Sequence, residues 1–291
     1  MISVLIPAKD YCCKQLIEEL HKQGEELQVP FEILIGEDGT SPENLQLNMS
    51  AEVLPFCRRI IRTENIGRAN IRNLLALEAK HENLLFIDCD AIVEKEDFLA
   101  TYIAALKKAE VVCGGLYHTD KLPGKEYTLR FKYEKKADKS RSAAIRSTAP
   151  YDKFTTFNFA IRKELFTSIF FNTGITQYGY EDTLFGKELK KRHANILHID
   201  NPLLHNGIED NATYLSKVEQ SIKTLISIKG EIASTPLLDC AAKLQRYHLA
   251  GLFLFLWKAT QKQMKKNLTG ANPSLKILNI YKLGFFFKHS K

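Results

Sequence analysis

Apolar runs of strand length alternate with amphipathic segments of helix length through the first part of the chain. The runs predict strands at residues 3–7, 31–36, 58–62, 84–87 and 111–114. The segments between them predict helices at residues 14–24, 66–80 and 95–108, and Gly24 is the expected stop of the first helix. This alternation indicates an α/β fold, with a mainly parallel sheet that is flanked by helices on both faces.

The pattern changes after the fifth predicted strand. Residues 118–153 are basic, polar and weakly periodic, which predicts a loop or short-helix excursion over the sheet. Strand character returns at 155–161 and 196–199, with a helix predicted between them at 181–192. Beyond residue 210, an amphipathic helix at 214–229 precedes the apolar stretch 250–257, AGLFLFLW. We therefore expect an α/β domain at residues 1–210 and a helical extension at residues 211–291.

Charge separates the same two parts of the chain. The sequence carries 41 Lys and Arg against 34 Asp and Glu, a net charge of +7. Residues 211–291 hold 13 of the basic and 3 of the acidic residues, which leaves the first 210 residues slightly acidic. A strongly basic extension indicates an anionic partner surface, either a membrane or a nucleic acid. The apolar stretch 250–257 is too short to span a bilayer, which needs about 20 residues.

The six cysteines show no spacing typical of a metal site. They are Cys12, Cys13, Cys57, Cys89, Cys113 and Cys240, and the adjacency of the first two argues against a zinc pair. The chain begins at Met1 and enters its first predicted strand directly, without the basic n-region and the small-residue cleavage site expected of a secretory leader. We therefore expect reduced thiols and a cytoplasmic location.

The strand predicted at 84–87 ends in two carboxylates, Asp88 and Asp90, separated by Cys89. In open α/β sheets, ligands bind just outside the carboxyl ends of the strands. Two carboxylates this close repel each other unless a cation or a proton compensates them. Because Mg²⁺ binds one or two carboxylates together with substrate phosphates, the triplet indicates a metal–diphosphate site. The alternative is a capped turn with a solvated Asp90.

Three further polar clusters follow predicted strands or begin a predicted helix. They are Lys9-Asp10 after the first strand, Glu37-Asp38-Gly39 after the second, and Gly179-Tyr180-Glu181-Asp182 at the start of the helix predicted at 181–192. Solvated turns explain any single cluster, but they explain several clusters at one edge of a sheet much less well. We therefore expect the clusters to converge on one site.

Six motifs, in this order, resemble glycosyltransferase family 2. They are SVLIPAKD, EILIGEDGTS, NIGRANIRN, LLFIDCDA, TFNFAIRKELF and YGYEDTLFG, and the resemblance runs from about residue 2 to residue 205. It implies that residues 1–210 form a GT-A (Rossmann-like) catalytic domain. It also implies an inverting, metal-dependent transfer of a sugar from a nucleotide-sugar donor.

The resemblance implies a donor and metal site residue by residue. Asp90 would bind Mn²⁺ or Mg²⁺ directly, and Asp88 would contact the donor ribose or reach the metal through water. Asp38 would accept a hydrogen bond from the base, most simply uracil N3–H, and Pro7 and Ala8 would pass close to that base. The bound metal would neutralise the diphosphate leaving group of a UDP-sugar. An Asx-turn in the Asp-Gly dipeptide is the alternative for Asp38.

A basic group and a histidine complete the implied donor site. Arg68 and Arg72 lie four residues apart on a predicted helix that follows Asn65, so the two arginines share a face. A guanidinium matches phosphate or carboxylate geometry, and the family's Arg-Asn pair implies that Arg72 orients Asp88 or the diphosphate. A solvated basic face is the alternative for Arg68. His205 follows a short strand, where the family often places a histidine that completes the metal site.

A Glu-Asp pair supplies the expected acceptor chemistry. The acceptor hydroxyl must lose its proton as it attacks the anomeric carbon, and a carboxylate within hydrogen-bond reach is the usual base. In inverting members of the family the aspartate of this pair has that role. This implies Asp182 as the base and Glu181 as a hydrogen-bond partner of the acceptor or donor sugar. The alternative is that both acids only cap a helix, whose dipole stabilises them there. Many members have glycine where this chain has Tyr180.

The expected function is hexosyl transfer from a UDP-sugar to a hydroxyl of a glycan or lipid-linked acceptor, as in polysaccharide biosynthesis. A nucleotidyltransferase that makes nucleotide sugars is one alternative, but residues 8–11 lack a glycine-rich phosphate loop. A non-catalytic nucleotide- or carbohydrate-binding module is another, and the presence of both Asp90 and Asp182 argues against it.

The extension at residues 211–291 is expected to contact an anionic membrane, on the cytoplasmic face of that membrane. Its leucines and aromatic residues are interspersed with lysines, which is typical of interfacial helices. Packing of the extension on the catalytic domain is the alternative. Nucleic acid is not an expected partner, because residues 1–210 carry no net basic charge.

Overall fold

The computed structural model describes residues 1–174, 178–232 and 234–290, apart from the side chain of Ser50. The chain divides into two compact units. The first contains residues 1–119, 138–174 and 181–207, and the second contains 120–137, 178–180 and the described residues from 208 onward. The domain boundary after residue 210 stays a prediction, and the second unit also takes two short segments from earlier in the chain.

A seven-stranded sheet forms the centre of the first unit. Its strands are β1 (Ile2–Ala8), β2 (Phe31–Asp38), β3 (Cys57–Arg62), β4 (Asn83–Ile87), β6 (Val111–Cys113), β8 (Asn158–Arg162) and β9 (Ile196–His198), in the order β3-β2-β1-β4-β8-β6-β9. Three shorter strands, β5 (Ala91–Ile92), β7 (Leu116–His118) and β10 (Leu203–His205), form a second sheet in the order β5-β10-β7. The large sheet is mainly parallel, as predicted, because only β8 runs antiparallel to its neighbours.

Helices cover both faces of this sheet. They are α1 (Lys14–Glu26), α2 (Pro42–Leu45), α3 (Arg68–Glu78), α4 (Phe98–Leu106), α6 (Ala143–Ser147), α7 (Lys163–Ile169) and α8 (Glu181–Lys191), while α5 (Thr128–Asp138) lies almost wholly in the second unit. Val4 and Ile33 pack in a core with α1 and α4. Their neighbours Leu5 and Leu34 pack in a second core with α3, α7 and α8. Burial on both faces explains why these strands read as continuous apolar runs.

Two sequence predictions differ from the structure. The predicted helix stop at Gly24 is wrong, because α1 continues to Glu26. A Cβ on Gly24 would lie 2.5 Å from the ring of Phe31, so this glycine admits a close helix–strand contact. The excursion predicted at 118–153 contains the eleven-residue helix α5, in which the half-buried Arg130 pairs with the buried Glu134. A helix that is held partly by ion pairs has no clear apolar repeat, so the hydrophobic pattern does not predict it.

Four helices make up most of the second unit. They are α9 (Asn211–Ile228), α10 (Pro236–Arg246), α11 (Ala250–Leu268) and α12 (Leu275–His289). Their shared core contains Trp257, Leu268 and Tyr281. Trp257 is the only tryptophan of the chain and is fully buried. Within the described residues, no helix combines the length and the apolar character needed to cross a membrane.

Gly284→Ala is expected to destabilise the second unit by about 1–3 kcal/mol, the usual cost of overpacking a core. The added Cβ would lie 2.1 Å from the indole of Trp257. Chemical denaturation followed by Trp257 fluorescence measures the change in the free energy of unfolding. Gly251→Ala on α11 is the matched control, since nothing lies within 4 Å of its Cβ position. Equal stability of the two variants would contradict the close contact.

Candidate active site

The carboxyl ends of β1, β2 and β4 meet at one edge of the large sheet, as their parallel pairing requires. A cleft of about 150 Å³ lies at this edge. Seven residues assigned to the donor site line it, namely Pro7, Ala8, Asp38, Arg68, Arg72, Asp88 and Asp90, together with Lys9, Ile71 and Cys89. Sites that enclose a whole ligand measure about 300–1,000 Å³, so this cleft matches only part of a nucleotide sugar.

Arg72 is the buried partner of Asp88. Only 4% of Arg72 is exposed, and its Nη2 group donates a hydrogen bond to Asp88 Oδ1. The guanidinium also lies over the ring of Phe171, with 5.8 Å between Cζ and the ring centroid. The backbone N–H of Asp88 donates to the carbonyl of Phe157 at 3.0 Å, which holds the chain at the end of β4. Arg72 is therefore placed to orient Asp88.

Asp90 and His205 face each other at the same edge. His205 Nε2 lies 3.2 Å from Asp90 Oδ2. Ligands at right angles around a cation at about 2.1 Å lie about 3 Å apart, so the pair fits adjacent positions on Mg²⁺ or Mn²⁺. A Cβ on Gly207 would lie 2.2 Å from Asp90 Oδ2, so only glycine leaves room for this carboxylate. In the described part of the chain, no three His, Cys, Asp or Glu side chains are grouped to hold a metal. A site with two protein ligands depends on substrate phosphates for the rest.

The charge of Asp90 suits this role. Burial by itself would raise the pKa of Asp90, but the hydrogen bond and charge of His205 and the charge of Arg68 hold the pKa below its ordinary value. The carboxylate is therefore ionised at neutral pH, as a metal ligand must be.

Strand β10 brings His205 to Asp90. β10 pairs antiparallel with β5, so that His205 lies opposite the residue that follows Asp90. The backbone N–H of Asn206 donates to the Asp90 carbonyl at 2.9 Å. The imidazole packs against the rings of His118 and Phe157, with centroid distances of 5.0 and 5.1 Å. The small sheet therefore holds both partners in register, although its strands are too short to be predicted from the sequence.

Gly207→Ala is expected to raise the Mn²⁺ concentration needed for half-maximal activity by at least about tenfold, a loss typical of a displaced ligand environment. The added Cβ would push the Asp90 carboxylate away from His205. Activity is measured as a function of Mn²⁺ concentration. Gly230→Ala is the control, because its Cβ position is open. An unchanged Mn²⁺ dependence of Gly207→Ala would contradict a metal contact through Asp90 Oδ2.

Asp38 organises the loop that precedes α3. Its two carboxylate oxygens accept the backbone N–H groups of Ile66 and Gly67, at 2.7 and 3.0 Å. A carboxylate has about four acceptor positions, so a contact with a base N–H is still available. Gly39, at φ +66°, lets the backbone nitrogen of Asn65 approach to 2.5 Å from its Cβ position. Asn65 therefore lies beside Asp38, and Asn65 is exposed to solvent.

Thr156 links Asp182, the expected base, to the edge of the sheet where Asp90 and His205 lie. Asp182 is in the first turn of α8, and its Oδ1 accepts a hydrogen bond from Thr156 Oγ1 at 2.7 Å. Thr156 directly precedes the residue whose carbonyl binds the Asp88 N–H. Burial, followed by the charges of Glu181 and Asp88, raises the pKa of Asp182 against the opposing effects of Thr156 and Arg72. A raised pKa makes the carboxylate a stronger base towards a hydroxyl proton.

The two residues before this helix have left-handed backbones. Gly179 has φ +104° and Tyr180 has φ +72°. For a residue with a side chain this conformation costs about 1–3 kcal/mol, which gives a physical reason for the glycine of many family members at this position. Burial raises the pKa of the Tyr180 phenol, so its hydroxyl is protonated at neutral pH.

Thr156→Val is expected to shift the acidic limb of the kcat–pH profile to higher pH. The hydrogen bond from Thr156 lowers the pKa of Asp182, so its loss raises that pKa and the base becomes protonated at a higher pH. At neutral pH, kcat should fall by no more than about tenfold, because the carboxylate remains. Thr156→Ser, which keeps the hydroxyl, is the control. An unshifted profile in the valine variant would contradict this coupling.

Four residues at this edge were not predicted from the sequence, namely Tyr11, Thr156, Phe157 and Gly207. Tyr11 lines a second cleft together with Cys89, Ala91 and Asn206, and burial, followed by the charge of Asp90, raises the pKa of its phenol. Thr156 and Phe157 open the motif TFNFAIRKELF, so a sequence signal was present, but no role followed from it. Gly207 had no signal, because only the tertiary structure shows what its missing side chain admits.

Solved structures with the same fold match this chain at low sequence identity. The mannosyltransferase PcManGT from Pyrobaculum calidifontis, in complex with GDP-Man and Mn²⁺, has a TM-score of 0.58 at 15% identity, over 99% of this chain and 86% of that one. S. aureus TarS 1-349 with UDP-GlcNAc has a TM-score of 0.51 at 14% identity, over 99% and 89%. Another S. aureus TarS structure has 0.50 at 18%, over 77% of this chain but only 39% of that chain. These likenesses confirm the predicted GT-A fold.

Sequence similarity gives independent evidence on the family. No curated protein gives a significant match over this chain. The family model for "Glycosyl transferase family 2" matches residues 3–184, which is more than half of the chain and contains every assigned site residue except His205. The resemblance inferred from the six motifs is thereby confirmed, and the chain belongs to glycosyl transferase family 2.

Proposed function

We propose that this chain is an inverting, metal-dependent hexosyltransferase. It would transfer a sugar from a UDP-sugar to a hydroxyl of a glycan or lipid-linked acceptor, with Asp182 as the general base. Family membership supports glycosyl transfer in general. One arrangement supports the finer proposal: seven residues assigned to the donor site line one cleft, the Asp90–His205 pair fits two adjacent metal positions, and Asp182 is bonded to Thr156, whose neighbour Phe157 accepts the Asp88 N–H.

One side of the site would bind the negatively charged diphosphate, which is the leaving group. When bound by Asp90 and His205, Mn²⁺ or Mg²⁺ would act as a Lewis acid on the diphosphate. Arg68, which borders the cleft and is exposed, adds a positive charge beside the phosphates. Asp88, fixed by Arg72, is available to the ribose hydroxyls. Together these groups lower the cost of releasing a nucleoside diphosphate.

The acceptor side needs a base and a defined direction of attack. As the acceptor oxygen bonds to the anomeric carbon, the bond from that carbon to the diphosphate oxygen breaks, and the hydroxyl proton passes to Asp182. Attack from the face opposite the leaving group inverts the configuration. Glu181, adjacent in the first turn of α8, would hydrogen-bond the acceptor or donor sugar. Thr156 keeps Asp182 in one orientation before substrate binds.

A panel of UDP- and GDP-sugars with Mn²⁺ tests the donor. Thermal shift and release of the nucleoside diphosphate are measured for each donor. We expect stabilisation and turnover with a UDP-sugar, because Asp38 can accept from uracil N3–H. Stabilisation by GDP without UDP would overturn this base assignment. Release of pyrophosphate from a nucleoside triphosphate and a sugar 1-phosphate would instead indicate a nucleotidyltransferase.

Location and partners are part of the same proposal. We place the enzyme in the cytoplasm, as a peripheral protein at the inner face of the membrane, acting in polysaccharide biosynthesis. All six cysteines are free, in agreement with a reducing compartment. A lipid-linked acceptor would reach the enzyme through a membrane contact of residues 211–291. No nucleic acid is among the proposed partners.

A further inference from the structure

The connection between α10 and α11 exposes large apolar side chains. Tyr247, Leu249, Leu252, Phe255 and Leu256 form this surface, here called the α10–α11 tip. Phe255 is 69% exposed, Leu252 60% and Leu256 55%. On a helix, positions 252, 255 and 256 share one face, and Leu249 continues that face because its backbone is still helical. Such a cluster on a surface marks an interaction site.

The inner face of α11 shows that this exposure is not a failure to pack. Trp257 is buried, and Phe253 and Leu254 pack against the core of the second unit. The apolar stretch 250–257 therefore has a face that forms the core and a second face, equally apolar, that remains in solvent. A helix that needs only one apolar face for folding has no structural use for the second.

The turn before α11 is tightly built. The N–H of Leu249 donates to the Leu244 carbonyl at 2.9 Å, and that of His248 donates to the Gln245 carbonyl at 3.0 Å. His248 has the left-handed φ of +56°. This is the Schellman pattern of helix termination. It fixes Tyr247 and Leu249 next to the first turn of α11, so the exposed cluster is preformed.

The segment of sequence that contains the tip carries charge of a single sign. From Cys240 to Lys291 the sequence contains ten Lys and Arg and no Asp or Glu. Lys262 and Lys266 follow the apolar residues on the same face of α11, and Lys258 lies one turn beyond Phe255. All three lysines are exposed. An apolar cluster followed by lysines, without acids, complements a surface with apolar depth and anionic phosphates.

We propose that the α10–α11 tip inserts into the headgroup region of an anionic lipid bilayer. Leu252, Phe255 and Leu256 enter the acyl boundary, and the three lysines contact lipid phosphates. A bilayer fits this surface better than a protein partner does, because it offers an apolar layer to the exposed leucines and phenylalanine and a continuous row of anionic phosphates to the lysines that follow them. This contact does not depend on the proposed transfer reaction, because it is measured as binding alone.

Flotation of the full chain with vesicles tests the contact. Vesicles of phosphatidylcholine alone are compared with vesicles that contain about one third phosphatidylglycerol. We expect binding to the anionic vesicles. The triple variant Leu252→Ser, Phe255→Ser, Leu256→Ser should bind at least about tenfold more weakly, because its apolar area is lost. Lys262→Gln with Lys266→Gln should weaken binding by roughly fivefold per lysine and reduce its salt dependence.

Leu77→Ser on α3 is the matched control. Leu77 is 58% exposed, a fraction similar to the 60% of Leu252, and it lies in the first unit, outside the α10–α11 tip. This variant should bind anionic vesicles like the unchanged chain. Trp257 fluorescence and the melting temperature show that every variant remains folded, since Trp257 lies on the buried side of α11.

Phe255→Trp reports insertion directly. The added indole should shift its emission to shorter wavelength with anionic vesicles and be quenched by lipids with brominated acyl chains. Absence of vesicle binding by the unchanged chain, or equal binding by the triple variant, would overturn the proposal. So would concentration-dependent self-association that the triple variant abolishes while vesicles remain unbound, because the tip would then join two copies of the chain.

Discussion

Asp182→Asn is expected to lower kcat by about 10²–10⁴-fold, the usual contribution of a general base. The amide keeps the shape of the side chain and can still pair with Thr156 Oγ1, but it cannot take a proton from the acceptor hydroxyl. Donor affinity should change little, because Asp182 does not line the donor cleft. Turnover is measured as metal-dependent UDP release in the presence of acceptor, and donor binding as a thermal shift with UDP and Mn²⁺.

Asp152→Asn is the matched control for this change. Asp152 is an exposed residue four positions before Thr156, so the substitution removes the same charge without touching the site. This variant should turn over like the unchanged chain. Equal turnover by Asp182→Asn would remove Asp182 as the base, whereas loss of donor binding together with turnover would point to a folding defect.

Asp90→Asn is expected to reduce activity by at least about 100-fold and to raise the Mn²⁺ requirement. A metal ligand that loses its charge binds the cation much less tightly, and the diphosphate then leaves with less charge compensation. The titration of activity with Mn²⁺ measures both effects. Excess Mn²⁺ should restore part of the activity, because the neighbouring His205 remains.

Asp88→Asn separates the two carboxylates of the triplet. Asp88 is paired with the buried Arg72, so its neutralisation should raise the KM for the donor and lower stability while the Mn²⁺ requirement changes little. If both variants raised the Mn²⁺ requirement equally, the distinct roles proposed for Asp88 and Asp90 would be wrong.

Much of the fold could be predicted because buried strands appear in the sequence as apolar runs. Strands β1, β2 and β4 are buried on both faces and are rich in apolar residues; β1 ends at Ala8, β2 ends at Asp38, and Asp88 directly follows β4. Parallel pairing then brings those ends together. The donor residues were predicted on this basis and on motif order, and seven of them line one cleft.

Other elements could not be predicted, for physical reasons. β5 has two residues and β10 three, too few for a periodicity, yet their pairing places His205 beside Asp90. The helix α5 is held partly by buried ion pairs, which have no apolar period. Gly24 does not end its helix but makes room for the ring of Phe31, which belongs to the next strand and so is not visible in the pattern of the helix.

The α/β alternation, the family and the residue types at the edge of the sheet follow from the order of residues along the chain, because each of them has a local pattern. The contacts between side chains come from the folded chain: it pairs Thr156 with Asp182 and sets Gly207 against Asp90, and of the two partners that the family motif implied for Arg72 it selects Asp88. It also decided which side of α11 is exposed, since an all-apolar stretch does not show which face the core will use. Such pairings join residues far apart in the chain, and no local pattern encodes them.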